Sequence, residues 1–434
     1  MAAVLLAVAL ASLDTAIANT ALPAIAADLR ATPAASIWIV NAYQLTVVAV
    51  LLPFAALGDR IGPRRVYLGG LFAFVVASLL CAFATNLAQL TAARAVQGIG
   101  AGALMSVNIA LVRMIYPAAR LGRGVGLNAF VVGVGFAAGP SVASLVLAFA
   151  SWPWLFLINI PLGAAAFAFA LPALPRSTPH EHRFDPLAAG LTAGSFAALV
   201  YALANAAQRE PWPMVVLPLA AALVLGALLL RRQRGHPAPM LPVDLLRRPL
   251  FALSALTALT AFATQGLAFV SLPFYFENVL HRDPVETGFL LAPWAVVVAL
   301  AAPIAGRLSD RYPPGLLGGA GLALLSGGLL SLALLPAAPS VPDIVWRMAL
   351  CGVGFGMFQS PNLRALMSSA PAHRSGGASG VIAIARLLGQ TSGAAAVALC
   401  FGLFGAAGPV WALALAAGSA ALAALASVAR LWAR

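Results

Sequence analysis

The sequence of 434 residues contains little charge. Only 9% of it is Asp, Glu, Lys or Arg, against about a quarter in soluble proteins, and 62% is hydrophobic. This composition excludes an ordinary soluble domain. The net charge of +13 would suggest a nucleic-acid partner in a soluble protein. In a membrane protein the same excess belongs to cytoplasmic loops, so no nucleic acid is expected.

Lysine, cysteine and histidine are also scarce. All 25 basic residues are arginine, which we interpret as a compositional bias without functional content. The three cysteines fall in apolar stretches, so they form no disulfide framework. The five histidines lie in loops without metal-ligand spacing. We therefore expect no metal site and no cofactor.

Long apolar runs recur from end to end, each about 20 residues long, which is the length that crosses a bilayer as a helix. The pattern predicts an all-α polytopic membrane protein with about 14 transmembrane helices. The predicted spans are 2–22, 36–57, 66–84, 88–111, 124–148, 153–172, 187–206, 213–230, 250–276, 286–305, 316–336, 343–366, 379–402 and 409–430.

Arginine placement predicts the orientation. With a cytoplasmic N-terminus, eighteen arginines fall in inner loops and ends, including Arg430, and Arg30, Arg209 and Arg282 fall outside. Basic residues concentrate on the cytoplasmic side, so both termini are expected there. A cleaved signal peptide is the alternative for the N-terminus, but the opening lacks a positive segment before its apolar run.

An internal repeat predicts the domain organisation. The turn "ALGDRIGPRRV" (56–66) resembles "GRLSDRYPPG" (306–315), and "RAVQGIGAGA" (94–103) resembles "RMALCGVGFG" (347–356). Each pair lies eight predicted spans apart, as a duplicated six-span unit plus a two-span insert requires. We expect a six-helix bundle at 1–172, a two-helix insert with cytoplasmic loops at 173–249, and a second bundle at 250–434. Repeat-built transporters bind substrate at the repeat interface near the midplane.

The stretch "LDTAIANTALP" (13–23) places Asp14 inside an apolar span. A carboxylate there must be paired, protonated or in a watery cavity. Asp14 lies about 12 Å from the outer end of span 1 at the helical rise, and Arg94 about 9 Å from the outer end of span 4. Their matched depths predict a pair, in which Asp14 is a proton acceptor. A static pair that only fixes helix packing is the alternative.

Small residues predict close helix packing on spans 4 and 5. Gly98 and Gly102 follow Arg94, while Gly135 and Gly139 form a small-xxx-small pair before Pro140. Such residues allow backbones to approach closely, and proline permits a kink. Packing without a functional role explains the span-5 stretch equally well.

The two Asp-Arg turns predict a latch at the cytoplasmic side. Asp59 can pair with Arg113 or with exposed N–H groups at a helix N-terminus. Asp310 and Arg311 repeat the Asp59-Arg60 pattern. A topology signal is the simpler interpretation, although it accounts for the arginines and not for the repeated aspartate.

Together these motifs resemble the major facilitator superfamily and, within it, the fourteen-span drug:proton antiporter family. "LDTAIANTALP" is similar to that family's span-1 signature, "LTAARAVQGIGAGA" (90–103) to its span-4 motif, and "GFAAGP" to the core of its span-5 antiporter motif. "WPWLFLINIPLG" (152–163) resembles the opening of its span 6. The resemblance covers essentially the whole chain.

The resemblance implies an alternating-access exporter in the cytoplasmic membrane that exchanges protons for hydrophobic, cationic drugs or toxic compounds. Asp14 would be the coupling carboxylate, Arg94 its modulator and the Asp59 turn the inner latch. The implied partners are a small-molecule substrate, protons and membrane lipids, and the assembly would be a monomer. Candidate cavity residues are Asn41, Tyr43, Gln44, Asn108, Asn128, Gln265 and Gln359.

Two other classes of function would require different sequence features. A transporter of one metabolite or organic anion is favoured by the arginines within predicted spans. An intramembrane enzyme or receptor would need a metal cluster, a facing catalytic pair or a folded soluble domain. The sequence shows none of these, so we expect a transporter without catalytic residues.

Overall fold

The computed structural model describes residues 1–115, 121–175, 185–207, 211–233, 243–309, 311–336, 338–370 and 375–432. Within these ranges the chain is helical and contains no strand, which confirms the prediction of an all-α protein. The long helices are α1 (Ala2–Thr20), α2 (Trp38–Ile61), α3 (Pro63–Ala82), α4 (Leu87–Ile115), α5 (Leu121–Phe149), α6 (Asn159–Ala173), α7 (Pro186–Ala207), α8 (Trp212–Arg232), α9 (Pro249–Phe274), α10 (Pro284–Leu308), α11 (Pro314–Ala333), α12 (Val341–Ser369), α13 (Ser375–Phe404) and α14 (Gly408–Ala429).

Short elements join these helices. Leu22–Asp28, Pro33–Ser36, Trp154–Leu157 and Val243–Leu246 are short α-helices, Tyr275–Val279 is a π-helical turn, and Gly405–Ala407 is a 3₁₀ turn. Twelve stretches of the described residues are long and apolar enough to span a membrane. One of them, Gly380–Ala429, includes parts of both α13 and α14, while the apolar part of α7, Pro186–Ala202, is shorter. The chain is therefore a multi-pass membrane protein.

Local sequence explains where helices begin and end. Gly62, with φ of 95°, separates α2 from α3, a backbone conformation that favours glycine. Pro63 then opens α3, where its missing N–H costs no helical hydrogen bond. Asp283 caps α10 by accepting from the Glu286 N–H at 2.8 Å, and Ser340 caps α12 by accepting from the Asp343 N–H at 3.3 Å.

The chain divides into two compact units. One contains Met1–Ala206 and Glu210–Arg232, and the other contains Ala207–Arg209 and Gln233–Arg434. The helix pair α7 and α8 therefore groups with the first unit. Tyr201 on α7 lies 6.0 Å from Trp38, ring centroid to centroid, and Ser195 of α7 donates to the Ala222 carbonyl of α8 at 3.0 Å.

The two units have the same internal arrangement of helices. In the first unit α2 and α3 pack on α4, α1 packs on α5 and α6, and α3 packs on α6. In the second unit α10 and α11 pack on α12, α9 packs on α13 and α14, and α11 packs on α14. Each contact has its counterpart eight helices later, as a duplicated six-helix unit requires.

Candidate functional site

Asp14 and Arg94 form a buried ion pair inside the first unit. Arg94 Nη1 of α4 lies 2.6 Å from Asp14 Oδ2 of α1, and each side chain is 1% exposed. The helices bring together residues 80 positions apart in the chain. Removing one member of such a pair would leave an uncompensated buried charge, which costs about 3–5 kcal/mol.

Two amide side chains complete the ligation of Asp14, and Ser78 supports them. Gln97 Nε2 donates to Asp14 Oδ1 at 2.9 Å, and Asn159 Nδ2 donates to the same oxygen at 2.7 Å. Gln97 Nε2 also donates to Ser78 Oγ at 2.8 Å, while Gln97 Oε1 accepts from Arg94 Nη1. All three side chains are fully buried. We call Asp14, Arg94, Gln97, Asn159 and Ser78 the polar cluster.

Arg94 has further contacts outside the polar cluster. Its Nε donates to the Ile39 carbonyl at 3.3 Å, and its guanidinium carbon lies 4.2 Å from the centroid of the Tyr43 ring. The Phe156 ring centroid lies 5.6 Å from the same carbon. Aromatic faces stabilise a cation most where water is excluded. The guanidinium is thus held by one carboxylate, one amide oxygen, one carbonyl and two rings.

The predicted packing glycines lie where helices touch. An added Cβ at Gly98 would be 2.5 Å from the Tyr43 carbonyl oxygen, and one at Gly135 would be 3.0 Å from Ser12 Cβ. Added Cβ atoms at Gly102 and Gly139 would collide with Val50 and Ala16. Pro140 is buried inside α5. These residues therefore allow α4 to approach α2, and α5 to approach α1, at the depth of the polar cluster.

The predicted latch lies at the ends of α2, α4 and α10. Arg60 is exposed in the last turn of α2, and Arg311 is exposed just after α10. Asp59 and Arg113 are in helices, but their side chains are outside the described set, and Asp310 lies outside the described residues. The pairing of this turn therefore stays a prediction.

The predicted cavity residues are distributed over both units. Tyr43 covers Arg94, while Asn108 Nδ2 donates to Asn128 Oδ1 at 2.9 Å and Gln390 Nε2 donates to Gln265 Oε1 at 2.9 Å. The seven residues differ in burial. Asn41, Tyr43, Gln44, Asn108 and Asn128 are buried, Gln265 is half-buried and Gln359 is exposed.

Sequence reasoning missed Gln97, Asn159 and Ser78. A signal existed for Gln97, which lies three residues after Arg94 and so on the same helix face. Asn159 lies within the motif "WPWLFLINIPLG", whose pattern indicates no role for an individual residue. Ser78 carried no signal, since serine is common in membrane helices.

Comparison with known proteins identifies the class. The sequence profile of the Major Facilitator Superfamily matches residues 4–394. The chain belongs to this superfamily and is a transporter, not an enzyme. Its fold agrees with the crystal structure of the POT family transporter PepTSo, with a TM-score of 0.74 at 16% identity, over 99% of this chain and 97% of that one.

Several relatives are transporters by name. The chain is 52% identical to the uncharacterized transporter YebQ of Escherichia coli (strain K12), covering 93% of this chain and 88% of YebQ. It is 29% identical to the riboflavin transporter RibZ of Clostridioides difficile (strain 630), covering 89% of this chain and 84% of RibZ. It is 31% identical to the multidrug efflux pump LfrA of Mycolicibacterium smegmatis, covering 93% of this chain and 81% of LfrA.

Proposed function

We propose that this transporter exports hydrophobic, cationic compounds across the cytoplasmic membrane in exchange for protons, by alternating access. The observation that carries the proposal is the ligation of Asp14, which is fully buried and bound by one arginine and two amides. Buried charges inside membrane proteins are rare and mark substrate or proton paths. Multidrug pumps such as LfrA among the relatives support the substrate class.

The polar cluster has the chemistry to accept a proton without unfolding. A carboxylate accepts hydrogen bonds only, whereas a protonated carboxyl must also donate one. The Asn159 Oδ1 atom is buried without a hydrogen-bond partner among the described residues. A half-turn of this amide would exchange its donor and acceptor, so the same contact can serve either form of Asp14. Protonation of Asp14 would also remove the negative charge that pairs with Arg94. The contact between α1 and α4 would then weaken, which would couple proton binding to helix movement.

Fourteen spans with both termini in the cytoplasm are part of this proposal. Twelve stretches qualify by length and composition, one of them includes parts of both α13 and α14, and α7 is 22 residues long. In a background without the three native cysteines, Arg209→Cys and Arg282→Cys should react with an impermeant thiol reagent in whole cells, and Arg232→Cys should not. The reverse pattern would overturn the orientation.

The Asp59 turn is proposed as the inner latch of the same transporter. Removing a hydrogen bond to a charged group costs about 1–3 kcal/mol, enough to shift a two-state population several-fold. In inside-out vesicles, Asp59→Asn should therefore speed the reaction of a thiol reagent with a cysteine placed at Arg65. An unchanged rate would leave the turn a topology signal. Asp343→Asn is the control, because Asp343 lies in the first turn of α12, away from the proposed latch.

A second candidate function is transport of one metabolite or organic anion. RibZ, a relative named as a riboflavin transporter, favours it. The intramembrane arginines support it less, because Arg94 is paired with Asp14 and Arg347 lies 2.7 Å from Asp343. Uptake of a flavin or an organic acid by vesicles that do not accumulate cationic dyes would favour this candidate.

The main test uses proteoliposomes with an acid interior. They should accumulate a hydrophobic cationic dye, and an uncoupler should collapse the gradient. Asp14→Asn keeps the size of the side chain but cannot titrate, so accumulation should be lost. Asp28→Asn is the matched control, because Asp28 is exposed and accepts a hydrogen bond from Trp152 Nε1 at 2.7 Å. Normal accumulation by Asp14→Asn would make Asp14 a packing residue.

A further inference from the structure

A second acidic residue, Glu277, differs from Asp14 because no group among the described residues neutralises its carboxylate. It is half-buried in the π-helical turn Tyr275–Val279 that follows α9. The Leu280 N–H bonds to the Tyr275 carbonyl at 3.0 Å across this turn. This turn extends α9 by five residues before the loop that leads to α10.

Glu277 differs from every other acidic residue whose side chain is described. Asp14 pairs with Arg94, Asp185 with Arg232, Glu286 with Arg282, and Asp343 with Arg347. Asp28 accepts from Trp152, and Asp283 caps α10. Among these seven side chains, Glu277 has neither a hydrogen bond nor an ion pair. The contrast is therefore between six satisfied carboxylates and one that is unsatisfied.

The elements packed on the π turn offer no cation to this carboxylate. The helices with the main contacts to the turn are α9, α10 and α14. Neither α9 nor α14 contains a titratable residue, and α10 contributes Glu286, which Arg282 occupies, and Arg307 at its far end. The loop before α10 adds the exposed His281 and a negative charge at Asp283. On α12, Arg347 is occupied by Asp343.

We propose that Glu277 is a second proton-binding group of this transporter, separate from Asp14 and neutral in the conformation described. An ionised carboxylate that is partly removed from water is costly unless a cation or hydrogen bonds compensate it. A proton is the cation that needs no further binding pocket. In the proposed orientation Glu277 faces the side from which protons enter. Its use in transport rests on the proposed proton coupling, whereas proton binding itself does not.

The direct test is infrared difference spectroscopy of the purified, full-length protein between acid and alkaline pH. The wild type should show the carbonyl band of a protonated carboxyl that disappears as the pH rises. Glu277→Gln should lose this band and take up about one proton fewer per molecule over the same pH change. Glu277→Asp should keep a band at a shifted pH. Glu286→Gln, which removes an ion-paired carboxylate from the same end, should keep the band.

Two results would overturn the proposal. One is an unchanged band and proton uptake in Glu277→Gln, and the other is loss of the same band in Glu286→Gln. The measurement is independent of dye accumulation. If Asp14→Asn loses accumulation while Glu277→Gln keeps the wild-type spectrum, proton binding by Glu277 is rejected and the role of Asp14 is retained. Normal accumulation in Asp14→Asn with a lost Glu277 band would remove only the proposed role of Asp14.

Discussion

The two units are built on the same helix contacts, but among the described residues only the first shows a buried charge pair at its centre. Gly98 of α4 and Gly352 of α12 are equivalent, since an added Cβ would lie 2.5 Å from the carbonyl oxygens of Tyr43 and Trp294 respectively. Gly135 of α5 and Gly389 of α13 are equivalent in the same way. The backbone nitrogen nearest to an added Cβ is Leu13 N of α1 for Gly135 and Ala263 N of α9 for Gly389. Backbone contact thus sets a common register for both units.

That register shows what replaces the polar cluster in the second unit. Counting along each helix, Asp14 corresponds to Thr264, Arg94 to Met348 and Gln97 to Cys351. All three replacements are buried, and Thr264 Oγ1 donates to the Thr260 carbonyl of its own helix at 3.0 Å. The glycines that let helices meet are therefore shared, whereas the charged groups are not. The second unit thus forms the same helix arrangement with neutral residues at these positions.

The largest expected effect comes from copying one residue of the second unit into the first. Arg94→Met leaves Asp14 buried without its cation and should destabilise the protein by about 3–5 kcal/mol. The double variant Asp14→Thr with Arg94→Met removes both charges and should recover most of that loss in thermal unfolding. Equal stabilities of the single and double variants would show that the unpaired charge of Asp14 is not what destabilises Arg94→Met. Neither variant should accumulate dye.

A smaller and symmetrical effect is expected at the shared glycines. An added Cβ would lie 2.5 Å from Phe74 N at Gly100 and 2.5 Å from Leu325 N at Gly354. Gly100→Ala and Gly354→Ala should therefore each cost about 1–3 kcal/mol, because backbone cannot move aside as a side chain can. Gly69→Ala and Gly327→Ala are the controls, since nothing lies within 4 Å of either added Cβ. A large difference between the stability losses of Gly100→Ala and Gly354→Ala would contradict the equivalence of the two units.

The smallest effect is expected at the exposed pair that joins the ends of α7 and α8. Arg232 Nε lies 2.7 Å from Asp185 Oδ2, and this hydrogen bond holds the pKa of Asp185 below its usual value. The resulting stability is present above the pKa of the unfolded carboxyl and is lost as pH falls through the folded pKa. Arg232→Gln should thus lower the unfolding temperature slightly at neutral pH, with no difference in strong acid.

Arg231→Gln, which removes a neighbouring arginine, should leave that pH dependence as in the wild type. An effect of Arg232→Gln as large as that of Arg94→Met would contradict the view that burial makes the Asp14 pair costly to break.

Hydropathy predicted most of the fold because the bilayer requires long apolar helices, and the helices lie within a few residues of the predicted spans. Matched depth was enough to bring Asp14 and Arg94 together, since both helices cross the same layer. The amide partners were missed because the direction of an Asn or Gln side chain depends on how helices are rotated, which a single sequence does not show.

The burial of Arg430 was missed for the same reason. It was expected at the cytoplasmic end of the chain, and its side chain is buried there among helices of the second unit, where it donates to Asn362 Oδ1 at 2.7 Å and to Ser254 Oγ at 3.2 Å. Gly318 leaves room for it, since an added Cβ there would be 3.1 Å from Arg430 Nη2. Arginine counts predict on which side of the membrane a residue lies. They do not predict that a glycine on a neighbouring helix leaves space in which an arginine side chain is buried.

The ion pair between α1 and α4 also has a consequence for synthesis. Aspartate at the centre of a membrane helix costs about 2.5–3.5 kcal/mol when that helix is inserted alone. The cation that offsets this cost is 80 residues further along the chain. The first helix therefore leaves the ribosome well before its partner exists. We expect its stable insertion to await the fourth, so that the first four helices enter the membrane as a group rather than singly.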